Sequence, residues 1–199
     1  MSARPGTPQR SERERTGGFL LIGAMVVLMW AVETVDIVAG DLDSAGIHPR
    51  DPEGLTGIVA SPFLHAGFGH LIGNTIPFLV LGAAIAVGGL MRTLLVTAIV
   101  ATVGGLGTWL TAPSNTVVIG ASGLVFGYAT YLVARGAYSR LPLHVIGGLV
   151  VLVIYGSTLL VGLVPTPGVS WQGHLFGAVG GVVAARVVYR SRARIADPA

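Results

Sequence analysis

The chain has 199 residues, of which 52% are hydrophobic and only 11% are charged, and its mean hydropathy is +0.77. Soluble domains carry about 25% charged residues, so this composition excludes a water-soluble globule and makes lipid the expected solvent. Cysteine is absent, which excludes disulfides and thiol chemistry, and the basic residues form short scattered clusters without interleaved aromatics, which excludes a nucleic-acid partner.

The N-terminal part of the chain contains a polar tail, a first apolar segment and a polar loop. Residues 1–16 are rich in arginine beside proline and serine, which predicts a disordered cytoplasmic tail. The apolar run at about 17–39 is too long for the core of a signal peptide and leads into further such runs, so it predicts a retained transmembrane helix. An acidic stretch, 41–57, then forms the first loop.

Five more apolar segments follow, separated by short breaks rich in glycine and proline. They lack the alternation of barrel strands, and backbone in lipid must be hydrogen-bonded internally. We therefore predict an all-α membrane protein, with one six-transmembrane-helix bundle over 17–189 and a second cytoplasmic tail over 190–199. The five later helices are expected at about 68–89, 92–111, 118–134, 143–164 and 171–189.

The arginines predict the orientation of this bundle. With both termini in the cytoplasm, only Arg50 falls on the outer side and every other arginine falls on the inner side. Because cytoplasmic segments carry the excess of basic residues, we predict that the second, fourth and sixth helices all run from the outside inward.

Four polar residues stand out inside these three parallel helices: His70 and Asn74 in the second, Ser122 in the fourth and His174 in the sixth. At about 1.5 Å of rise per residue, His70, Ser122 and His174 lie about 20–27 Å from the inner ends of their helices, in a hydrocarbon core about 30 Å thick. Polar groups in lipid are costly and usually functional. Their common depth predicts one site in the outer part of the membrane.

Ser122 and His174 are the candidate nucleophile and general base of this site. Ser122 is flanked by Gly120 and Gly123, which leave its hydroxyl and the nearby amide groups accessible, and a helix N-terminus favours a developing oxyanion. The alternative for Ser122 is a helix cap or a packing residue. His174 at the same depth is a candidate base, and its alternative is a hydrogen-bonded core histidine.

His70 and Asn74 are candidate oxyanion donors, since their i, i+4 spacing puts both on one helix face. Their alternative is a polar contact between helices. His65, near the membrane boundary, is expected to organise the loop. His65, His70 and His174 could form a three-histidine zinc site, but no glutamate base accompanies them and no His-Glu-x-x-His motif occurs, so neither a metal nor another cofactor is expected.

Glu33 and Asp36 share a face near the outer end of the first predicted helix. Carboxylates at this position could line an ion path or face the lipid headgroups. The sequence leaves both readings open.

Three motifs resemble the signatures of the rhomboid intramembrane serine proteases, in the family's order and on the second, fourth and sixth helices. The resemblance covers nearly all of 17–189. The motifs are His65-Ala-Gly-Phe-Gly-His70-Leu-Ile-Gly-Asn74, Gly120-Ala-Ser122-Gly123 and Gly173-His174-Leu-Phe-Gly177.

The resemblance implies a Ser–His dyad without an acid, with Ser122 as the nucleophile and His174 as the base. It also implies that His70, Asn74 and the Ser122 backbone N–H bind the oxyanion. Phe126 matches the aromatic residue that packs on the catalytic histidine, where the family often has tyrosine. Gly120 would sit beside the nucleophile, where a side chain would crowd it.

The function implied is that of an intramembrane serine endopeptidase, which hydrolyses peptide bonds in or near transmembrane segments of other membrane proteins. Its expected place is the plasma membrane of a bacterial cell, and its expected partners are the lipid bilayer and transmembrane-protein substrates. Two alternatives are a non-catalytic rhomboid-like protein that binds transmembrane helices and a small transporter. The first would lack the serine or the histidine, and the second should show repeat symmetry and broken helices.

Overall fold

The fold is known from a computed structural model that describes residues 8–196. Within this range the chain forms seven α-helices and no β-strand, with three short 3₁₀ turns in the first loop at Leu42–Ala45, Pro52–Leu55 and Ser61–Phe63. The helices are α1 (Pro8–Ala39), α2 (Gly57–Ala60), α3 (Phe68–Ala86), α4 (Leu90–Thr111), α5 (Ser122–Ser139), α6 (Pro142–Val161) and α7 (Trp171–Ala196).

The six long helices coincide with the six predicted apolar segments, but their ends differ. The predicted disordered tail is corrected in part: α1 begins at Pro8, so 8–16 is helical, and residues 1–7 lie outside the described residues. Proline is favoured at the first position of a helix, and the Glu and Arg residues that follow are good helix formers. The polar segment therefore extends the apolar helix. At the other end, α7 continues to Ala196 because its last residues are mainly arginine and alanine, which favour helix. Residues 197–199 lie outside the described residues.

Four helices of the described chain are long and apolar enough to cross a membrane. The predicted count of six spans and the predicted orientation remain predictions. The long helix α5 is enclosed by α3, α4, α6 and α7, so it presents little surface to lipid and does not need an apolar exterior. The four apolar helices are α1 from Ser11, α3, α4 and α6.

The contact between α5 and α7 is made by glycines that bring the two backbones together. Each helix carries a Gly-x-x-x-Gly pair, Gly123 with Gly127 and Gly177 with Gly181. A Cβ on Gly177 would overlap the carbonyl oxygen of Gly123, and a Cβ on Gly181 would overlap that of Gly127. Small residues permit this approach, and it fixes the N-terminal turn of α5 against that of α7.

The first loop is fastened to the C-terminal end of α4 and to the segment that leads into α5. Ile47 exchanges backbone hydrogen bonds with Val118, both 3.0 Å long, and the indole of Trp109 donates to the Asp51 carbonyl at 2.8 Å. The Arg50 guanidinium donates to the Leu110 carbonyl at 3.1 Å and to the Ser114 hydroxyl. The loop thus forms a fixed cover over the end of the bundle that holds Ser122.

The glycine contact yields a stability prediction. Replacing Gly177 by alanine should lower the free energy of unfolding by about 1–3 kcal/mol, because overpacking a tight contact costs that much. The matched control is Gly156→Ala in α6, where an added Cβ meets no atom within 4 Å. That change should be neutral or stabilise by roughly 0.5–1 kcal/mol. Thermal unfolding of both variants in one detergent checks this, and equal melting temperatures would contradict it.

Candidate active site

Ser122 and His174 meet where the N-terminal turns of α5 and α7 lie side by side. Ser122 is the first residue of α5, and His174 lies in the first turn of α7. The Ser122 Oγ lies 2.9 Å from the His174 Nε2, a normal hydrogen-bond distance. The structure therefore brings together the two residues that the sequence suggested as nucleophile and base.

The second ring nitrogen of His174 determines which way this hydrogen bond runs. His174 Nδ1 lies 2.7 Å from the carbonyl oxygen of Gly162, at the C-terminal end of α6. A carbonyl can only accept, so Nδ1 must carry the proton, and in a neutral imidazole Nε2 is then the acceptor. His174 can accept the Ser122 hydroxyl proton. A backbone carbonyl thus fills the orienting role that a carboxylate fills in a triad.

The His174 ring is also fixed by stacking. The Phe126 ring lies parallel to it, with centroids 4.1 Å apart and an interplanar angle of 6°. Gly162 completes the wall, since a Cβ there would overlap the Phe126 ring and lie 3.0 Å from His174 Nδ1.

His70 and Asn74 lie on α3 and face the segment that leads into Ser122. That segment passes close by at Gly120, whose φ of 110° and missing side chain are both required. A Cβ at Gly120 would lie 2.8 Å from the His70 Nε2 and 3.9 Å from the Asn74 Nδ2. Both candidate donors are therefore at the site, as their spacing predicted.

The hydrogen bonds of these two side chains indicate which atoms are free to donate. The Ala66 N–H donates to the His70 Nδ1 at 3.4 Å, so in the neutral ring Nε2 carries the proton and points toward Gly120. The Asn74 Nδ2 donates one hydrogen to the His70 carbonyl at 3.1 Å, which leaves its second hydrogen. The Ser122 amide is a third donor, because the first amides of a helix lack partners within the helix.

His65 supports the segment before the nucleophile. It is buried between the first loop and α3, and the Ala121 N–H donates to its Nε2 at 3.4 Å. Its ring contacts that of His70 edge-on, with centroids 5.0 Å apart. Burial, with a smaller contribution from His70, lowers the pKa of His65 to about 4. It is neutral at pH 7, as its accepting role requires.

Two cavities reach Ser122 and His174. One, of about 490 Å³, lies under the first loop and the loop before α7, and its lining includes His70, Asn74 and Gly120. The other, of about 580 Å³, lies between α3, α5 and α6, and its lining includes Pro77, Tyr155 and Thr158. The pair is thus accessible from the loop end of the bundle and from its side.

Glu33 and Asp36 do not line either cavity. The Asp36 carboxylate accepts the Leu42 N–H at 2.6 Å and so fixes the start of the first loop. Glu33 is 1% exposed and interacts with the Gly67 backbone at the start of α3. These contacts favour a structural role in joining α1 to the loop. Within 8–196, no cluster of three histidine or acidic side chains is placed to hold a metal ion.

The partner that the sequence did not reveal is the Gly162 carbonyl. The sequence predicts a turn at 165–168, but no sequence pattern indicates that the Gly162 carbonyl oxygen accepts a hydrogen bond from a side chain in another helix. The backbone of Ser61 is similar, since its carbonyl accepts the Gly120 N–H at 2.8 Å and holds the turn before Ser122 in place.

Comparison with known proteins identifies the family of the chain. The model of the Rhomboid domain matches residues 52–191. An uncharacterised protein of Mycobacterium tuberculosis (strain ATCC 25618 / H37Rv) is 45% identical over 92% of this chain and 82% of its own length. An uncharacterised protein of Mycobacterium leprae (strain TN) is 43% identical over 88% and 73%. A more distant relative, from Bacillus subtilis (strain 168), is named "Putative rhomboid protease YdcA" and is 29% identical over 62% of each chain.

The buried His65 yields a prediction of pH dependence. Since its pKa in the folded protein, about 4, lies below its ordinary value of 6.5, the unfolded chain takes up a proton first as the pH falls. Its neutral form stabilises the fold fully above pH 6.5, and this stability is lost progressively between pH 6.5 and 4. In His65→Gln this component should be missing, so the melting temperature should fall less steeply over that interval than in the wild type. Parallel curves for the two proteins would refute the role of His65.

Proposed function

The chain belongs to the rhomboid family, and we propose that it is an intramembrane serine endopeptidase that cleaves in or near transmembrane segments of other membrane proteins. The observation that carries the proposal is the hydrogen bond from the Ser122 Oγ to the His174 Nε2, with His174 held by the Gly162 carbonyl in the tautomer that accepts a proton. This geometry matches a nucleophile, a base and an orienting group in hydrogen-bond reach of one another.

The reaction would proceed by acyl transfer. The Ser122 Oγ attacks the peptide carbonyl carbon while its proton passes to the His174 Nε2, and the imidazolium then protonates the leaving amine. Water attacks the acyl-enzyme in the second half, with His174 again taking the proton. No acid is needed to hold the imidazole, since Phe126 and the Gly162 carbonyl already fix its plane and its tautomer.

The oxyanion formed in both halves would be stabilised by His70, Asn74 and the Ser122 amide. The His70 Nε2 and the Asn74 Nδ2 both face Gly120, two residues before the nucleophile. Donors that are fixed before the reaction and shielded from bulk water stabilise developing charge strongly. The rigidity of this segment, held by Ser61 and His65 on either side, therefore contributes to the chemistry.

The two cavities suggest separate routes for water and substrate. The cavity under the loops connects the site to the loop end of the bundle, where water is available. The cavity between α3 and α6 opens toward the apolar sides of these helices, and α6 is the least enclosed of the four apolar helices, with 11% of its span buried. A substrate helix entering there must unwind locally to present its carbonyl, which favours small or helix-breaking residues at the cut.

The proposal places the protein in the plasma membrane of a bacterial cell, with six spans and both termini in the cytoplasm. The bacterial relatives and the four apolar helices support an integral membrane protein, and the arginine distribution supports the orientation. Ser122 then lies near the outer surface of the membrane.

The nucleophile is tested with a reporter that carries a transmembrane segment with small and helix-breaking residues. In liposomes the wild type should cleave it, and Ser122→Ala and His174→Ala should lose at least about 10³-fold in rate. A fluorophosphonate probe should label the wild type and leave Ser122→Ala unlabelled. Cleavage by Ser122→Ala at the wild-type rate would disprove the assignment, and an unlabelled, inactive wild type would favour a helix-binding protein.

The oxyanion donors are tested by removing them one at a time. His70→Ala and Asn74→Ala should each lower kcat by roughly 10²–10³-fold with little change in KM, because the lost interaction exists only in the transition state. The matched control is His48→Ala, since His48 lies in the first loop with its Nε2 on the Ser44 carbonyl. A rise in KM alone would mean that His70 and Asn74 bind substrate and do not stabilise the oxyanion.

A further inference from the structure

A second cluster of polar side chains lies at the end of the bundle opposite Ser122. It consists of Arg92 in the first turn of α4, Tyr131 and Arg135 in the C-terminal half of α5, and Tyr189 in α7. The Arg92 guanidinium lies over the Tyr189 ring, 6.0 Å from its centroid. Arg135 interacts electrostatically with Tyr189, Tyr131 and Arg92. We call these four residues the inner arginine cluster.

The cluster is enclosed by backbone on two sides, the turn between α3 and α4 and the helix α6. The Arg92 side chain lies on Gly88, where an added Cβ would come within 2.6 Å of its Nη1, and the Arg135 Nη2 lies 3.3 Å from the corresponding point at Gly147 of α6. Both arginines are half-buried, so their stems are held between helices while part of each side chain reaches the surface. They are thus positioned more firmly than arginines that extend freely into the headgroup region.

The hydrogen bonding of the cluster is incomplete. Tyr131 is 0% exposed and Tyr189 is 9% exposed, and their hydroxyls interact with each other. The Arg135 Nε is buried and has no hydrogen-bond partner within the described residues. Buried polar groups are nearly always satisfied, so a buried guanidinium donor without a partner indicates a missing acceptor.

The charge of Arg135 is not balanced by a carboxylate of the described residues. The electrostatic neighbours of Arg135 are two phenols and a second guanidinium, and no carboxylate is among them. Glu14 of α1 lies against Gly89 at the start of α4, but it is not among the charges that act on Arg135. Two guanidiniums close together in a partly buried site repel each other unless an anion lies between them.

We propose that Arg92 and Arg135 bind a phosphate-bearing anion, from a phospholipid headgroup or from free phosphate, at the end of the bundle opposite the Ser122 site. Guanidinium groups bind phosphate oxygens in bidentate fashion, and basic pockets between helices on the cytoplasmic side of a membrane bind lipid headgroups. Such a ligand would join α4, α5, α6 and α7 at their inner ends. The site does not depend on the proposed protease activity.

The test is the melting temperature of the purified full-length protein in a neutral detergent, with dioleoyl-phosphatidylglycerol, dioleoyl-phosphatidylcholine or inorganic phosphate added at constant ionic strength. At a concentration near 100-fold above the dissociation constant, the bound anion should raise the melting temperature by about 5–10 °C. Arg92→Gln/Arg135→Gln should lose this shift. Arg140→Gln, the exposed arginine that ends α5, should keep it and controls for the change of charge.

A shift with phospholipid alone identifies a headgroup, and a comparable shift with inorganic phosphate identifies a free anion. Either result supports the site. If neither ligand shifts the wild type, or if the double variant shifts as much as Arg140→Gln, the proposal is wrong. Should the double variant fail to fold, Arg92→Lys/Arg135→Lys keeps the charge and removes the bidentate geometry. Native mass spectrometry should then show less retained phospholipid or phosphate than in the wild type, and equal retention of both would also refute the site.

Discussion

The close approach of α5 and α7 is the constraint on which the rest of the structure depends. Four glycines put the backbones of the two helices in contact, and this contact sets Ser122 and His174 at hydrogen-bonding distance. Any side chain at these glycines would separate the helices and lengthen that bond. The same residues that allow tight packing in lipid therefore also fix the geometry of the candidate site, which is why stability and chemistry are linked here.

The sequence predicted the helices well because lipid imposes a strong rule: a backbone in hydrocarbon must be helical or part of a closed barrel. Apolar runs broken by glycine and proline therefore correspond closely to α1 and α3–α7. The errors fall at the ends, where this rule no longer applies. At Pro8 and Ala196 the helices continue past the apolar residues, since Arg and Glu favour helix and nothing on the surface stops it.

Much of the candidate site was also predictable, because polar side chains in lipid are few and each is conspicuous. His70, Asn74, Ser122 and His174 could be placed at one depth from the helical rise alone. The Gly162 and Ser61 carbonyls could not, since every residue has a carbonyl and its partner is set by tertiary structure. The inner arginine cluster could not be predicted for a related reason: in the sequence Arg92 and Arg135 indicate only the orientation of the helices, and tertiary packing alone brings them together.

The contact between His174 and Gly162 links the proposed base to α6, the least buried of the four apolar helices. Gly162 ends α6, and the same helix forms one wall of the cavity through which a substrate would enter. A large outward movement of α6 would withdraw the carbonyl from Nδ1 and let the imidazole change tautomer or turn. Because α6 orients His174 through this carbonyl, Gly162 would have to be back in hydrogen-bonding position before His174 could take the Ser122 hydroxyl proton. In the proposed protease, substrate entry and activation of the nucleophile would then be coupled through one hydrogen bond, and a loosely held α6 would slow the reaction as well as permit access.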